Sequence, residues 1–213
     1  MDTRMRITFA KTDAMRFTSH LDLHRTWERT IRRAKLPLAY SQGYNPHPKI
    51  NLASALPLGF TGEGEIVDIW LEQALPVQEV ETALEEAAPP GIRISAICPV
   101  DLHEPALQTV LESSEYTITF LQPFPNLEAR IQEILSAGSL PRERRGKPYD
   151  LRPLIVDMHV LPENGNGLQR LYARLTAQEG ATGRPDELLE VLGIDPNKTR
   201  VHRTALIFKN MLS

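Results

Sequence analysis

The chain has 213 residues, a formal net charge of −3, 41% hydrophobic and 24% charged residues, and one cysteine, Cys98. That composition suits a folded protein with a core that needs no staples, and one cysteine excludes an intrachain disulfide, a cysteine-rich zinc site or a three-cysteine iron–sulfur cluster built from this chain alone. No apolar run approaches the roughly 20 residues needed to cross a bilayer, and the opening MDTRMRITFAKTDAMRF lacks a signal-peptide core, so the expectation is a cytoplasmic protein without a membrane partner.

In chain order, Met5–Lys11 reads as a strand and Ser19–Lys35 as a helix. Ser19 is a good N-cap, and Asp22 three positions on can return a carboxylate to the first turn. Leu36-Pro37 ends that helix, because proline disfavours the α region for the residue before it. Ile50–Leu56 and Glu65–Glu72 read as strands, Pro76–Ala87 as a helix closed by Pro89-Pro90-Gly91, and Ile92–Ile97 as a strand. The order β-α-β-β-α-β is that of a ferredoxin-like unit. From Ser114 it recurs: strand Glu115–Leu121, helix Pro125–Ala137, a short strand around Leu140–Arg145, strands Leu154–Leu161 and Leu168–Gln178, helix Pro185–Leu192 and strand Arg200–Phe208. Asn164-Gly165-Asn166-Gly167 is a hairpin signal. The expected fold class is therefore α+β, tandem ferredoxin-like (βαββαβ) halves with antiparallel sheets, divided into residues 1–105 and 106–213.

Charge is distributed in blocks. Residues 1–50 carry ten Lys/Arg against four Asp/Glu, residues 51–138 two against fourteen, and residues 139–213 twelve against nine. A basic opening segment can meet phosphate while the acidic middle stays solvated or meets a basic protein. At about 100° per residue, Leu23, Trp27, Ile31 and Ala34 share one side of the first helix, while Arg25, Arg29, Arg32 and Arg33 share the other. The loop Ser41–Lys49 follows, in which prolines hold Tyr44, Asn45, His47 and Lys49 as a polar, aromatic and cationic set suited to stacking and edge-bonding an unpaired base. A second basic segment gathers Arg142, Arg144, Arg145, Lys147 and Arg152.

Three side chains are candidates for chemistry. His20 and His24 lie four apart on the first helix, a metal-compatible spacing, but position 21 is Leu where H-E-x-x-H has its glutamate, so no metal site is expected. Either imidazole could instead serve as general base on a ribose 2′-hydroxyl. Asp150, between Tyr149 and Arg152, could act as a nucleophilic or acid/base carboxylate, or as a turn former. Gly59, Gly62 and Gly64 read as hairpin glycines, since no Lys-Ser/Thr and no helix follow. Cys98 reads as a small buried core residue.

The run FTSHLDLHRTWERTIRRAKLPLAYSQGYNPHPKINLASALPLGFTGEGEIVDI and the later GKPYDLRPLI resemble the bacterial radical SAM-linked protein family, a domain of unknown function encoded beside or fused to radical SAM proteins. The likeness is carried by Ser19-His20-Leu21-Asp22, Arg25, Glu28-Arg29, Ser41–Pro48, Leu56–Gly59 and Tyr149–Pro153. It implies a radical SAM partner and a setting in RNA or ribosome biology, but supplies no reaction. The single cysteine places any radical chemistry on another polypeptide.

The expectation is a non-catalytic RNA-binding accessory protein with no cofactor, acting with a radical SAM partner on tRNA or rRNA rather than DNA. The RNA contacts would be Arg25, Arg29, Arg32, Arg33, Tyr44, Asn45, His47, Lys49, Arg144, Arg145, Lys147 and Arg152. The alternative is a metal-independent RNA-processing or base-modifying enzyme using His20, His24 or Asp150.

Overall fold

The computed structural model describes residues 2–209. One compact unit ends at Val110 and a second begins at Leu111.

The first unit contains β1 (Thr3–Lys11), α1 (His20–Arg33), β2 (Ile50–Leu52), β3 (Thr61–Leu71), α2 (Val77–Ala87), β4 (Ile92–Val100) and the single turn α3 (Leu107–Val110). β1 pairs with both β3 and β4, and β2 pairs with β3, all antiparallel. The resulting order β4-β1-β3-β2 is the ferredoxin-like sheet, as the element sequence implied. Met5, Ile7 and Phe9 of β1 and Val67, Ile69 and Leu71 of β3 pack with Leu23, Trp27 and Ile31 of α1 and with Val80 and Leu84 of α2. Phe9 meets Trp27 edge to face, with centroids 4.9 Å apart. Each aliphatic side chain so buried contributes about 1.5–3 kcal/mol.

The other face of this sheet buries a polar cluster on β1 and β3. Asp68 of β3, wholly buried, accepts from Arg4 Nε at 2.9 Å and from Arg6 Nε at 2.9 Å, both arginines also being buried. Arg4 further donates to the carbonyls of Glu104 (2.6 Å) and Pro105 (3.0 Å), and its guanidinium lies 5.0 Å from the Trp70 ring centroid.

The second unit contains β5 (Leu111–Phe120), α4 (Leu127–Ser136), β6 (Pro141–Arg144), β7 (Lys147–Asp150), β8 (Ile155–Leu161), β9 (Arg170–Gln178), β10 (Ala181–Thr182), α5 (Pro185–Leu192) and β11 (Thr199–Phe208). Its sheet repeats the order as β11-β5-β9-β8, again antiparallel, with β10 paired to the end of β9. The expected strand near Leu140 and the loop after it are instead a hairpin, β6–β7, inserted between α4 and β8. Its turn is Arg145-Gly146, with φ of 53° and 76°, the two positive values a two-residue type I′ turn requires. The Asn164–Gly167 turn forms as anticipated: Asn164 Oδ1 accepts from the backbone of Asn166 and Leu168, and Gly167 has φ 70°.

Cys98 corrects the sequence reading, for it is exposed. A bulge between Thr8 and Phe9 shifts the β4 register, so that Ile94 and Ile97 both pack on the core while Cys98 lies opposite Arg6, on the other face.

Candidate nucleic-acid interface

The α1 surface is built from its ends inward. Ser19 Oγ accepts the Asp22 N–H at 3.2 Å, so the expected N-cap forms, while the Asp22 carboxylate returns to the Ser19 hydroxyl at 2.7 Å instead of to the backbone N–H that a capping-box Glu would accept from. At the other end Lys35 adopts φ 56°, and the Leu36 N–H reaches back to the Ile31 carbonyl at 3.3 Å, a Schellman closure carried by a non-glycine residue. The helix is thereby fixed in phase, burying Leu23, Trp27 and Ile31 and exposing Arg25, Arg29, Arg32 and Arg33.

These four arginines differ in their bonding. Arg33 donates to the Ala87 carbonyl of α2 at 2.6 Å, and Arg25 lies 3.4 Å from Asp22 with both side chains more than half exposed. A pair so exposed is worth a few tenths of a kcal/mol, about 0.3–0.5 at most. Arg29 and Arg32 have no acceptor among the described residues.

The following loop is held at its base. The Ser41 N–H donates to the His47 carbonyl at 2.8 Å and the His47 N–H to Ser41 Oγ at 2.9 Å, while Ala39 and Lys49 are bonded to the Trp70 backbone. Within that closed base Tyr44 is 100% exposed, and Asn45 and His47 are exposed as well. Lys49 pairs with Asp2 at 3.0 Å. Beside the start of α1, the Gly59 N–H donates to the Arg16 carbonyl at 3.0 Å, and this part of the unit leaves Phe17, Leu21 and Leu58 exposed at 60% or more.

The second basic segment is largely committed to internal bonds. Arg144 Nε donates to Glu187 Oε1 at 2.8 Å, a further N–H reaches the Thr182 carbonyl at 2.9 Å, and the guanidinium sits 4.8 Å from the Tyr149 ring centroid. Arg142 pairs with Glu190. Arg152 donates to the Leu135 carbonyl at 2.8 Å and to the Ile155 carbonyl at 3.3 Å, closing the C-terminal turn of α4. Arg145 and Lys147, at the hairpin tip, are exposed.

Two of the three candidates for chemistry, His24 and Asp150, are placed as braces. His24 Nε2 lies 3.4 Å from the Ile50 carbonyl, linking α1 to β2, and His20 is half-buried at the helix start. Asp150 Oδ1 accepts the N–H of Leu140 at 2.7 Å and of Arg152 at 3.0 Å, and these two bonds hold its carboxyl below its ordinary value. A carboxylate made less basic in this way is a poor general base near neutral pH. Among the described residues no group of three or more His, Cys, Asp or Glu is placed to hold a metal ion, and no helix is long and apolar enough to cross a membrane.

Residues 4–185 match a family described as an uncharacterized protein conserved in bacteria, DUF2344. The chain belongs to that family. The description makes no reference to radical SAM proteins. No curated protein matches the sequence. Among solved structures, a chain of a Cbf5-Nop10-Gar1 complex matches at 12% identity and TM-score 0.50, over 97% of this chain and 50% of its own. A chain of an archaeal box H/ACA sRNP Nop10-Cbf5 complex matches at 12% identity and TM-score 0.46, over 97% and 49%. The acetolactate synthase small subunit from Thermotoga maritima matches at 10% identity and TM-score 0.30, over 100% and 99%. The chain spans about half the length of the first two, and identity at that level speaks to the fold alone.

Two features had no signal in the sequence. The Arg4–Asp68–Arg6 cluster depends on strand register, since Arg6 faces Asp68 only once β1 and β3 are paired. The ties from the β6–β7 hairpin to Glu187 and Glu190 of α5 span more than 40 residues of chain.

Proposed function

We propose that the protein binds RNA through the outward face of α1 and the Tyr44 loop, and serves as a non-catalytic accessory to a radical SAM partner in RNA or ribosome modification. One observation carries the reading: Arg29 and Arg32 reach solvent on a single helix face without an acceptor among the described residues. Elsewhere Arg4, Arg6, Arg142, Arg144 and Arg152 are each bonded. Like charges at helical spacings of three and four repel by about 0.2–0.5 kcal/mol per pair. The helix dipole offsets this for Arg32 and Arg33 in the last turn, and Asp22 and Glu28, three or four residues from Arg25 and Arg32, offset part of the rest, which leaves Arg29 the least compensated. A stripe kept at that cost is suited to a polyanion, whose binding releases condensed counterions.

Tyr44, wholly exposed on a loop closed at its base, favours a single-stranded or looped RNA, because stacking requires an unpaired base. The radical SAM partner rests on the sequence resemblance, and the exposed Phe17, Leu21 and Leu58 offer such a protein an apolar contact. The enzymatic alternative loses two of its three candidates, since His24 and Asp150 hold backbone groups in place, and rests on His20, half-buried at the start of α1.

The test is crosslinking in cells, with sequencing of bound RNA and identification of bound proteins, for the native chain and for Arg29→Glu/Arg32→Glu. The reading expects RNA recovered with the native chain and lost with the variant, and a radical SAM protein recovered with both. Equal RNA recovery from the two would reject the α1 surface.

A further inference from the structure

The face of the second unit's sheet away from its core carries a row of side chains that the α1 reading does not use, half-buried at Tyr172, Thr117 and His202 and exposed at His159. Strand register sets His159 opposite Tyr172, Tyr172 opposite Thr117, and Thr117 opposite His202. Successive strand residues point to opposite faces, and the neighbours Met158, Tyr116, Ile118, Leu171 and Ala173 are buried in the core. The row therefore lies on the face away from that core.

Two of its rings are already stacked. His159 and Tyr172 have centroids 4.6 Å apart and planes 28° from parallel, and the His159 side chain is 52% exposed at the β8 edge. Burial and the adjacent Glu115 carboxylate push the Tyr172 hydroxyl up to about 12, so the ring is neutral at physiological pH.

Charge is sorted on either side of the row. One residue pair along, Arg170 lies opposite Thr119 and Thr119 opposite Arg200. Arg170 Nε donates to the Pro162 carbonyl at 2.9 Å and an Arg200 amine to the Thr199 carbonyl at 3.1 Å, which positions each guanidinium and leaves the rest of its donors for a ligand. On the opposite side Asp157 and Glu115 flank Arg174, which is held by Ser113 Oγ at 2.8 Å.

A four-stranded antiparallel sheet with aromatic rings on its open face is a recognised geometry for splaying and stacking single-stranded bases. We propose that this face is a platform for single-stranded RNA. A base stacks on the His159–Tyr172 pair, Arg170 and Arg200 hold the flanking phosphates, and Asp157, 55% exposed and with one carboxylate oxygen 3.4 Å from His159 Nδ1, accepts with its other oxygen from the exocyclic amine of the base. One flank carries two arginines and the other two carboxylates around the single cation Arg174, so the backbone runs along the arginine flank and the base edge faces the acids. Uracil has no exocyclic amine, so the platform selects adenine, cytosine or guanine over uracil. The proposal rests on the RNA-binding reading for its class of ligand and on none of the α1 residues.

The experiment uses the full chain and a short fluorescein-labelled, adenine- and cytosine-rich single-stranded RNA, with an all-uridine strand beside it, followed by fluorescence anisotropy at fixed low salt. Tyr172→Leu and His159→Leu each weaken binding of the mixed strand by about tenfold, within the range for one lost stack. Tyr172→Phe keeps the ring and binds within about twofold of the native chain, which separates stacking from damage to the fold. The all-uridine strand binds more weakly than the mixed strand to the native chain. Native affinity in both leucine variants, together with loss in Arg29→Glu/Arg32→Glu, overturns the platform and leaves the α1 reading standing. Loss in the leucine variants with native affinity in the charge-reversed one supports the platform and rejects the α1 surface. Equal loss in Tyr172→Phe and Tyr172→Leu overturns stacking, and a native chain that binds neither strand overturns both readings.

Discussion

The helix α1 and the hairpin β6–β7 each concentrate arginine, and their sequences look equally suited to a polyanion. The structure gives them opposite surroundings. Arg142 and Arg144 of the hairpin face Glu190 and Glu187 of α5 and serve to attach an inserted element to its unit. Arg29 and Arg32 of α1 face solvent, because the buried side of the helix is filled by Leu23, Trp27 and Ile31, and neither has an acceptor among the described residues. A third pair, Arg4 and Arg6, is wholly internal around Asp68. The same residue type thus does three jobs, set by what lies across from it, and of these three pairs the uncovered one is available to a ligand.

Removing the acid in each setting sharpens this comparison. Asp68→Ala leaves two buried guanidiniums without their carboxylate, and the expected loss is about 3–5 kcal/mol in a urea melt, enough to unfold a marginal domain. Glu187→Gln affects a pair whose carboxylate is mostly enclosed and whose guanidinium is about a third exposed, and costs about 1–2 kcal/mol, less than the fully buried cluster. It also changes the response to acid. Burial pushes the Glu187 carboxyl up, but Arg144 outweighs this and holds it below its ordinary 4.5. A depressed carboxyl stabilises the fold above its unfolded pKa, and that contribution is lost as pH falls through the folded value, so the native chain weakens below about pH 5. Glu187→Gln flattens the stability curve in that window, and Asp150→Asn, which removes another depressed carboxyl, does the same. Arg29→Glu/Arg32→Glu shifts the melt by about 1 kcal/mol or less, since Arg32 gives up its favourable place in the last turn of the helix and neither side chain gives up a buried contact. A large loss there would collapse the distinction between α1 and the hairpin.

Much of this was readable from local patterns. The capping pair Ser19 and Asp22, the stop at Leu36-Pro37, the Asn164–Gly167 turn and the repeated element order all rest on interactions within a few residues, and each appears in the structure. The helix phase followed from its apolar period, so exposure of the four α1 arginines was legible too. What escaped was long-range. Arg144 reads as a free cation until α5 is folded against the hairpin, and Cys98 reads as core until the bulge at Thr8 and Phe9 turns it outward. The His159–Tyr172 stack needs the register of β8 against β9, which no local pattern in either strand encodes.

A smaller effect concerns the protein partner. Phe17→Ser and Leu21→Ser remove exposed apolar surface and leave the melt within about 0.5 kcal/mol, while co-purification of a radical SAM protein from nuclease-treated lysate falls. Retained co-purification would move the partner contact elsewhere on the chain.

The central claim is that uncovered arginines on α1 meet phosphates, and a salt titration of RNA affinity reports this directly. For the native chain log affinity falls linearly with log salt, and Arg29→Glu/Arg32→Glu lowers that slope by roughly one for each phosphate contact removed. A slope identical in the native and charge-reversed chains, at any affinity, would contradict the claim.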